Sequence, residues 1–466
     1  MQFNSIIFLF FATLFFSIWH FTKSNVTFKL IFLTIASFFF YGWWDWRFVF
    51  LLLFTGLIDY FAAIGITCFP KYKKLLLISS LLSNIGTLSL FKYSGFISKN
   101  IDQLLGTSLN SQINTFFLII PVGISFYTFQ SMSYTIDVYK GKFKPTKNIF
   151  QFFAYLSMFP QLVAGPIVRA KDMLPQLIGQ RQPLKEDCWE GFRFIVKGCF
   201  KKMVIADNLA PIVVNAFNNS IVLESSAFWW GAVIAFAFQI YCDFSGYSDI
   251  ACGLARWMGY SFPDNFNHPY TSTSLREFWS RWHISLSTWF RDYVYIPLGG
   301  NKKNKCRSHI NMWITMVISG LWHGAAWTYV MWGVFHALFL SIERILKWPT
   351  QKFSNQFIRF LAWMFVTLEI LVAWVFFRAN SVQHALDILK VMFTFKGNWS
   401  LGWGLNGSIF VLIIIFREIM VYTGIEKRVK LRGSIGAFAE MLLYAILIAL
   451  IIFFRGNGSE FIYFQF

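Results

Sequence analysis

Apolar runs of about 20 residues, each long enough to cross the ~30 Å hydrocarbon core of a bilayer, follow one another from one end of this chain to the other. That pattern reads as an all-α polytopic membrane protein. Its composition agrees: 56% of the residues are hydrophobic and 14% charged, against roughly 25% charged in soluble domains. One continuous membrane-embedded domain over residues 1–466 fits better than a soluble domain with an anchor. The first run, Ser5 to Phe21, has neither a basic leader nor a small-residue cleavage site and is expected to be retained as a span.

The formal net charge of +19 would raise the question of nucleic acid in a soluble chain. Here the lysines and arginines gather in short loops, as the positive-inside rule requires, so no nucleic-acid partner is expected. Ser5 to Phe21, Thr27 to Gly42, Arg47 to Ile66, Leu75 to Phe91 and Thr115 to Ile136 read as the first five spans. Lys71, Lys73 and Lys74 mark one cytoplasmic loop, and Lys140, Lys142, Lys144 and Lys147 another. Counting back puts Lys23 inside and the N-terminus outside, although Lys92 and Lys99 then fall on the outer side. The six cysteines are scattered without C-x-x-C pairs, so neither a disulfide framework nor a metal site is expected.

The middle of the chain is less regular. Phe150 to Leu162 is apolar but short and contains Pro160, which suggests a re-entrant or interfacial segment. From Trp189 to Val204 the apolar residues recur at helical spacing while Glu190, Arg193, Lys197 and Lys201 share the other face. This is expected to be an amphipathic helix on the cytoplasmic surface; packing on the protein's own core would give the same pattern. Ser226 to Trp257 is apolar but interrupted by Asp243-Phe244-Ser245-Gly246-Tyr247-Ser248-Asp249, polar groups that must face protein or a water-filled cavity.

The basic loop Asn301 to Arg307 is expected in the cytoplasm. The stretch from His309 to Lys347 is too long, at ~1.5 Å per residue, for one upright crossing, so it must double back, tilt or break, with Gly320 and Gly324 the natural places. Lys347 and Lys352 keep the next loop inside, Phe360 to Phe377 goes out and Ser408 to Tyr422 returns. Lys427, Arg428, Lys430 and Arg432 mark the cytoplasm again, and Ile435 to Phe454 leaves the C-terminus outside. The expected total is about 9 to 12 membrane segments.

Polar residues that a membrane should exclude concentrate between residues 264 and 336. The run from Ile310 to Ile342 contains no Asp, Glu, Lys or Arg, yet holds His323 and His336. Histidine is costly in hydrocarbon and useful where a proton must move near neutral pH. Of the seven histidines, His20 and His309 sit near membrane boundaries and His384 in an exterior loop. His268 precedes Pro269 and is expected to shape a turn, while His336 reads as a packed core histidine.

His323 and His283 stand apart. Gly324 would let a substrate approach the backbone closely, and Trp322 and Trp327 could wall a passage. His283 lies among Arg276, Glu277, Arg281, Ser285 and Ser287. Each has a structural hydrogen-bonding role as its rival reading. Buried from water, an imidazole stays neutral and can take a proton from a hydroxyl as a general base. There is no G-x-S-x-G elbow and no Walker A loop to support an acyl-serine hydrolase or a nucleotide-driven pump.

At these residues the sequence resembles the membrane-bound O-acyltransferase (MBOAT) superfamily, in its bacterial branch of alginate and peptidoglycan O-acetyltransferases. The stretches that carry the resemblance are Phe40 to Trp43, Pro121 to Gln130, Phe159 to Ile167, Asp243 to Asp249, Phe278 to Ser287, Trp289 to Gly300 and Ser319 to Ala325. The match extends to the final Phe461 to Phe466. The resemblance implies a helical bundle with a transmembrane tunnel, an acyl thioester presented from the cytoplasm and a hydroxyl acceptor from outside. It makes His323, in Trp322-His323-Gly324, the catalytic histidine, and His283, in Arg281-Trp282-His283-Ile284-Ser285-Leu286, its signature companion.

The function this implies is O-acetyl transfer across the bacterial inner membrane, from acetyl-CoA, for an exported or cell-wall polysaccharide. Peptidoglycan is favoured over alginate because relatives commonly hand the group to a periplasmic SGNH-type transferase. No metal is called for. The closest rival is D-alanyl transfer from a carrier protein to teichoic acid, which would use the same histidine. A rival of another class is a membrane transporter using Asp243 and Asp249 at mid-membrane depth.

Overall fold

The computed structural model describes residues 1–113, 117, 119–163, 165–179, 183–218, 225–302, 304–348, 355–395, 397, 404–423 and 433–462. The basic residues Lys303, Lys352, Lys427, Arg428, Lys430 and Arg432, the start of the expected span at Thr115, Ala164, and Tyr463 to Phe466 lie outside them. Among the described residues every regular element is helical.

In chain order the helices are α1 (Ile6–Trp19), α2 (Val26–Gly42), α3 (Arg47–Cys68), α4 (Lys73–Leu88), α5 (Ser94–Leu105), α6 (Leu109–Gln112), α7 (Ile124–Tyr139), α8 (Ile149–Leu156), α9 (Phe159–Leu162), α10 (Ala170–Ile178) and α11 (Lys185–Cys199). They continue as α12 (Asp207–Asn218), α13 (Ser226–Trp257), α14 (Leu275–Arg281), α15 (Ile284–Phe290), α16 (Lys305–His323), α17 (Trp327–Ile345), α18 (Gln356–Arg378), α19 (Val382–Thr394), α20 (Gly404–Thr423) and α21 (Gly433–Phe454). Among the described residues five helical stretches are long and apolar enough to cross a membrane: α3, Pro70–Leu105, α13, α18 and α21.

Two compact units are present, Met1–Ile195 with Ser248–Pro263, and Val196–Tyr247 with Asp264–Phe466. In the first, α7 departs from the expected span. It begins at Ile124, after Gly123 turns the chain through a left-handed φ of 74°, and nearly all its side chains are buried, Thr128, Gln130, Ser131 and Asp137 included. A helix polar on several faces needs partners at membrane depth. Asp59 of α3 supplies one set, accepting from Ser131 of α7 and from Ser80 and Asn84 of α4.

Lys92, which the loop-charge count placed outside, is not a loop charge. It lies buried in the π-helical stretch Ser89–Tyr93 that joins α4 to α5 and donates to Ser125 Oγ at 3.3 Å. Lys29 is likewise buried, over the rings of Trp19 and Tyr260. The Phe150–Leu162 segment forms α8 and α9, of 8 and 4 residues, too short to cross, with Phe152, Phe153, Tyr155 and Phe159 fully enclosed.

The amphipathic stretch forms α11 and the π-helical Phe200–Ala206 after it; Glu190 and Lys197 are exposed, while one side of the stretch packs on the protein itself. A Cβ at Gly191 would collide with the Trp257 ring and one at Gly253 with the Gly191 carbonyl, so α11 lies against α13 at backbone distance. Trp189 stays exposed, but Lys201 and Lys202, beyond the helix end, are buried. A lysine on the polar face of a surface helix should reach water. These do not, because α13 covers them.

α13 itself runs unbroken from Ser226 to Trp257 through its polar stretch. In the second unit, Lys202 Nζ stands 2.7 Å from Asp243 Oδ1 and 2.9 Å from Asp207 Oδ1. It also donates to the Ser459 carbonyl at 3.0 Å. Gly246 makes the approach possible, since a Cβ there would lie 2.7 Å from the Gly198 carbonyl. The segment after α21 is tied to the same carboxylates: Ser459 Oγ donates to Asp207 at 2.6 Å and the Ile462 N–H to Asp243 Oδ2 at 2.7 Å. Paired and hydrogen-bonded, these charges are tolerable in the interior, where a lone carboxylate would not be.

Candidate active site

The second unit gathers the histidine stretch. The long run from His309 to Lys347 does break beside His323: α16 ends on that histidine, Gly324 is extended, and α17 starts at Trp327 and packs back on α16. Glycines set how close the two helices come. A Cβ at Gly333 would lie 2.5 Å from the Met316 carbonyl, and one at Gly320 would collide with the Tyr329 carbonyl. Gly324 has another role than the expected access for a substrate: the Tyr329 ring occupies the space its missing side chain leaves.

His323 is 2% exposed at the C-terminal end of α16. Its ring centroid lies 5.0 Å from Trp322, 5.0 Å from Trp332 and 5.3 Å from Phe377, all nearly perpendicular. Of the two tryptophans expected to wall a passage, Trp322 does enclose the histidine. Trp327 is 55% exposed, and Trp332, one and a half turns further along α17, packs on His323 in its place. His336, which the sequence reads as a packed histidine, is buried against Trp332 at 4.7 Å and Trp279 at 5.1 Å.

His283 reaches the same neighbourhood from a different element. Ser274 Oγ caps α14 by accepting the Glu277 N–H at 3.0 Å, and Glu277 in turn accepts the Thr273 N–H at 2.9 Å. Glu343 of α17 accepts the next N–H, that of Leu275, at 2.5 Å. The charged density that marked this stretch thus divides: Glu277 pairs with Arg281 at 2.7 Å near the surface, while the histidine points inward with no exposure.

After α14 the backbone pairs with the segment before it, Asn267 N–H to the Arg281 carbonyl and Ile284 N–H to the Asn265 carbonyl, both at 2.9 Å. His283 turns through φ 42°, a left-handed conformation uncommon for a residue with a side chain. That turn aims its ring at Phe244, 4.6 Å away, and at Trp322, 6.0 Å away. The indole of Trp322 is in ring contact with both histidines.

Asn265 is a neighbour of His283 that the sequence does not single out. Its Oδ1 accepts the Ser285 N–H at 3.2 Å and the Ser285 hydroxyl at 2.9 Å, and stands 3.2 Å from His283 Nδ1. A backbone N–H can only donate, which fixes the amide oxygen on this side and makes His283 Nδ1 a donor. Nε2 then carries the ring's lone pair. His268 adopts φ 46° before Pro269 and meets Glu418 at 3.2 Å, in line with a turn-shaping role. A buried imidazole at a helix end, walled by aromatic rings and backed by a second whose tautomer is fixed, can accept a hydroxyl proton away from water.

Comparison with known proteins gives this arrangement a family. Residues 144–383 match the family model described as MBOAT, membrane-bound O-acyltransferase family. The chain is 37% identical to the probable alginate O-acetylase of Pseudomonas putida, over 100% of both chains. It is 35% identical to the peptidoglycan O-acetyltransferase of Helicobacter pylori over 80% of this chain and 75% of that one. The teichoic acid D-alanyltransferase of Streptococcus thermophilus is 32% identical, but over 48% of this chain and 56% of its own length. With a buried histidine site on the hairpin of α16 and α17 and this breadth of similarity, the chain belongs to the membrane-bound O-acyltransferase family and is an O-acyltransferase.

Proposed function

We propose that this protein moves an acetyl group from acetyl-CoA, at the cytoplasmic face of the bacterial inner membrane, to the outer face for O-acetylation of a cell-wall or exported polysaccharide. The observation that carries the reading is His323, enclosed by Trp322, Trp332 and Phe377 in a chain similar throughout its length to an alginate O-acetylase. The exposed Lys71, between α3 and α4, and Lys73 and Lys74, at the start of α4, support a cytoplasmic loop there and, counting back, an N-terminus outside; the C-terminus is read as outside too. Residues 1–466 act as a single catalytic domain, and a periplasmic SGNH-type transferase receives the group and completes transfer to the polymer.

In the reaction, His323 takes the proton of the attacking hydroxyl as its oxygen bonds to the thioester carbonyl carbon, then returns that proton to the departing thiolate sulfur. His283, in ring contact with Trp322 and held by Asn265, positions the substrate. The test is transfer of labelled acetyl from acetyl-CoA by purified protein in vesicles, with de-O-acetylated peptidoglycan or alginate as acceptor and the periplasmic transferase added. Label in the polymer supports the proposal. Transfer only of D-alanine, and only with a carrier protein present, would replace it with the teichoic acid reading.

A further inference from the structure

His323 supplies a base, but acyl transfer also needs a donor for the carbonyl oxygen, which gains negative charge when the carbon is attacked. Trp332 has the properties of such a donor. It is fully buried in α17, and its indole N–H has no acceptor among the described residues. The large majority of buried side-chain polar atoms find a hydrogen-bond partner, and leaving one without a partner is destabilising. Its ring packs at 5.0 Å on His323 and at 4.7 Å on His336, whose Nδ1 is also unpartnered among the described residues. The indole N–H groups of Trp229 and Trp279 are also without an acceptor among the described residues, while Trp374 donates to the Tyr270 hydroxyl at 3.2 Å; Trp332 joins an orphaned N–H to direct ring packing on His323.

An unmade hydrogen bond placed against a base is what a site retains for the atom that arrives with the substrate. Resting on the reading of His323 as that base, we propose that the Trp332 indole N–H binds the thioester carbonyl oxygen of the acyl donor and stabilises the charge it develops. As the acceptor oxygen bonds to the carbonyl carbon, the carbonyl π pair moves onto the oxygen facing Trp332 and His323 takes the hydroxyl proton. When the carbonyl re-forms, the carbon–sulfur bond breaks and the proton passes from His323 to the thiolate. The products are an ester and a free thiol, with no other reactant required.

The test replaces Trp332 with 3-benzothienylalanine, which keeps the shape of the ring and substitutes sulfur for the N–H, beside the simpler Trp332→Phe. CoA thiol release from acetyl-CoA is followed with the periplasmic transferase and de-O-acetylated peptidoglycan present, per molecule of monodisperse protein. The expected result for the isostere is a fall in kcat of roughly 10²–10³-fold with KM changed by less than about threefold and the pH profile kept. Wild-type kcat in the isostere overturns the proposal, whatever Trp332→Phe does to folding. His323→Ala run in parallel separates the two readings: full activity there, with a slow isostere, removes the base and leaves the donor standing.

Discussion

Asn265 Oδ1 stands 3.2 Å from His283 Nδ1, and because the same oxygen accepts the Ser285 N–H, the histidine must donate to it. A neutral amide in that place fixes the tautomer without favouring a charged ring. A carboxylate would favour the imidazolium.

Asn265→Asp should therefore move the acid limb of the kcat/KM profile to higher pH if His283 acts in its neutral form, because the ring then holds its proton until a higher pH is reached. Asn265→Ala should lower kcat without that movement. The measurement is the pH dependence of acetyl transfer for the three proteins. An unmoved acid limb in Asn265→Asp would confine His283 to packing.

Lys202 holds Asp207, Asp243 and the segment around Ser459 together with almost no exposure. Removing one partner of a buried ion pair typically costs about 3–5 kcal/mol, since the other charge is left uncompensated. Lys202→Met should lower thermal stability by that order and open residues 455–462 to protease, read by melting and limited proteolysis in detergent. An unchanged melting temperature would contradict the account of the network.

His384, in α19, is half-buried, and its Nδ1 accepts the Asn380 N–H at 3.3 Å. Burial holds its pKa below the ordinary value near 6.5, with Asp387 opposing and Arg378 adding to the shift. The unfolded chain then binds the proton more readily than the folded one, so the stabilising effect is full above pH ~6.5 and is lost as pH falls below it. His384→Gln should reduce the loss of melting temperature between pH 7 and pH 5. An identical loss in both proteins would refute it.

The helices and their break were legible because length and apolarity are properties of the chain itself: His309 to Lys347 cannot cross upright, and α16 does end at His323. His323 stands out in the sequence as a polar residue in an apolar run and His283 by the polar residues around it, and the family resemblance ranks them. What the sequence hid depends on partners far along the chain. Asp243 interrupts the composition of α13 but not the helix, because Lys202 neutralises it and Gly246 admits the neighbouring backbone. Lys201 reads as a surface charge until α13 covers it. Trp327 and Trp332 look alike in sequence, and only the phase of α17 sends the first outward and the second onto His323.

If His323 is the base for acyl transfer, purified His323→Ala at matched abundance and melting temperature should transfer no labelled acetyl from acetyl-CoA while keeping its fold. Transfer at the wild-type rate would mean that another group takes the hydroxyl proton.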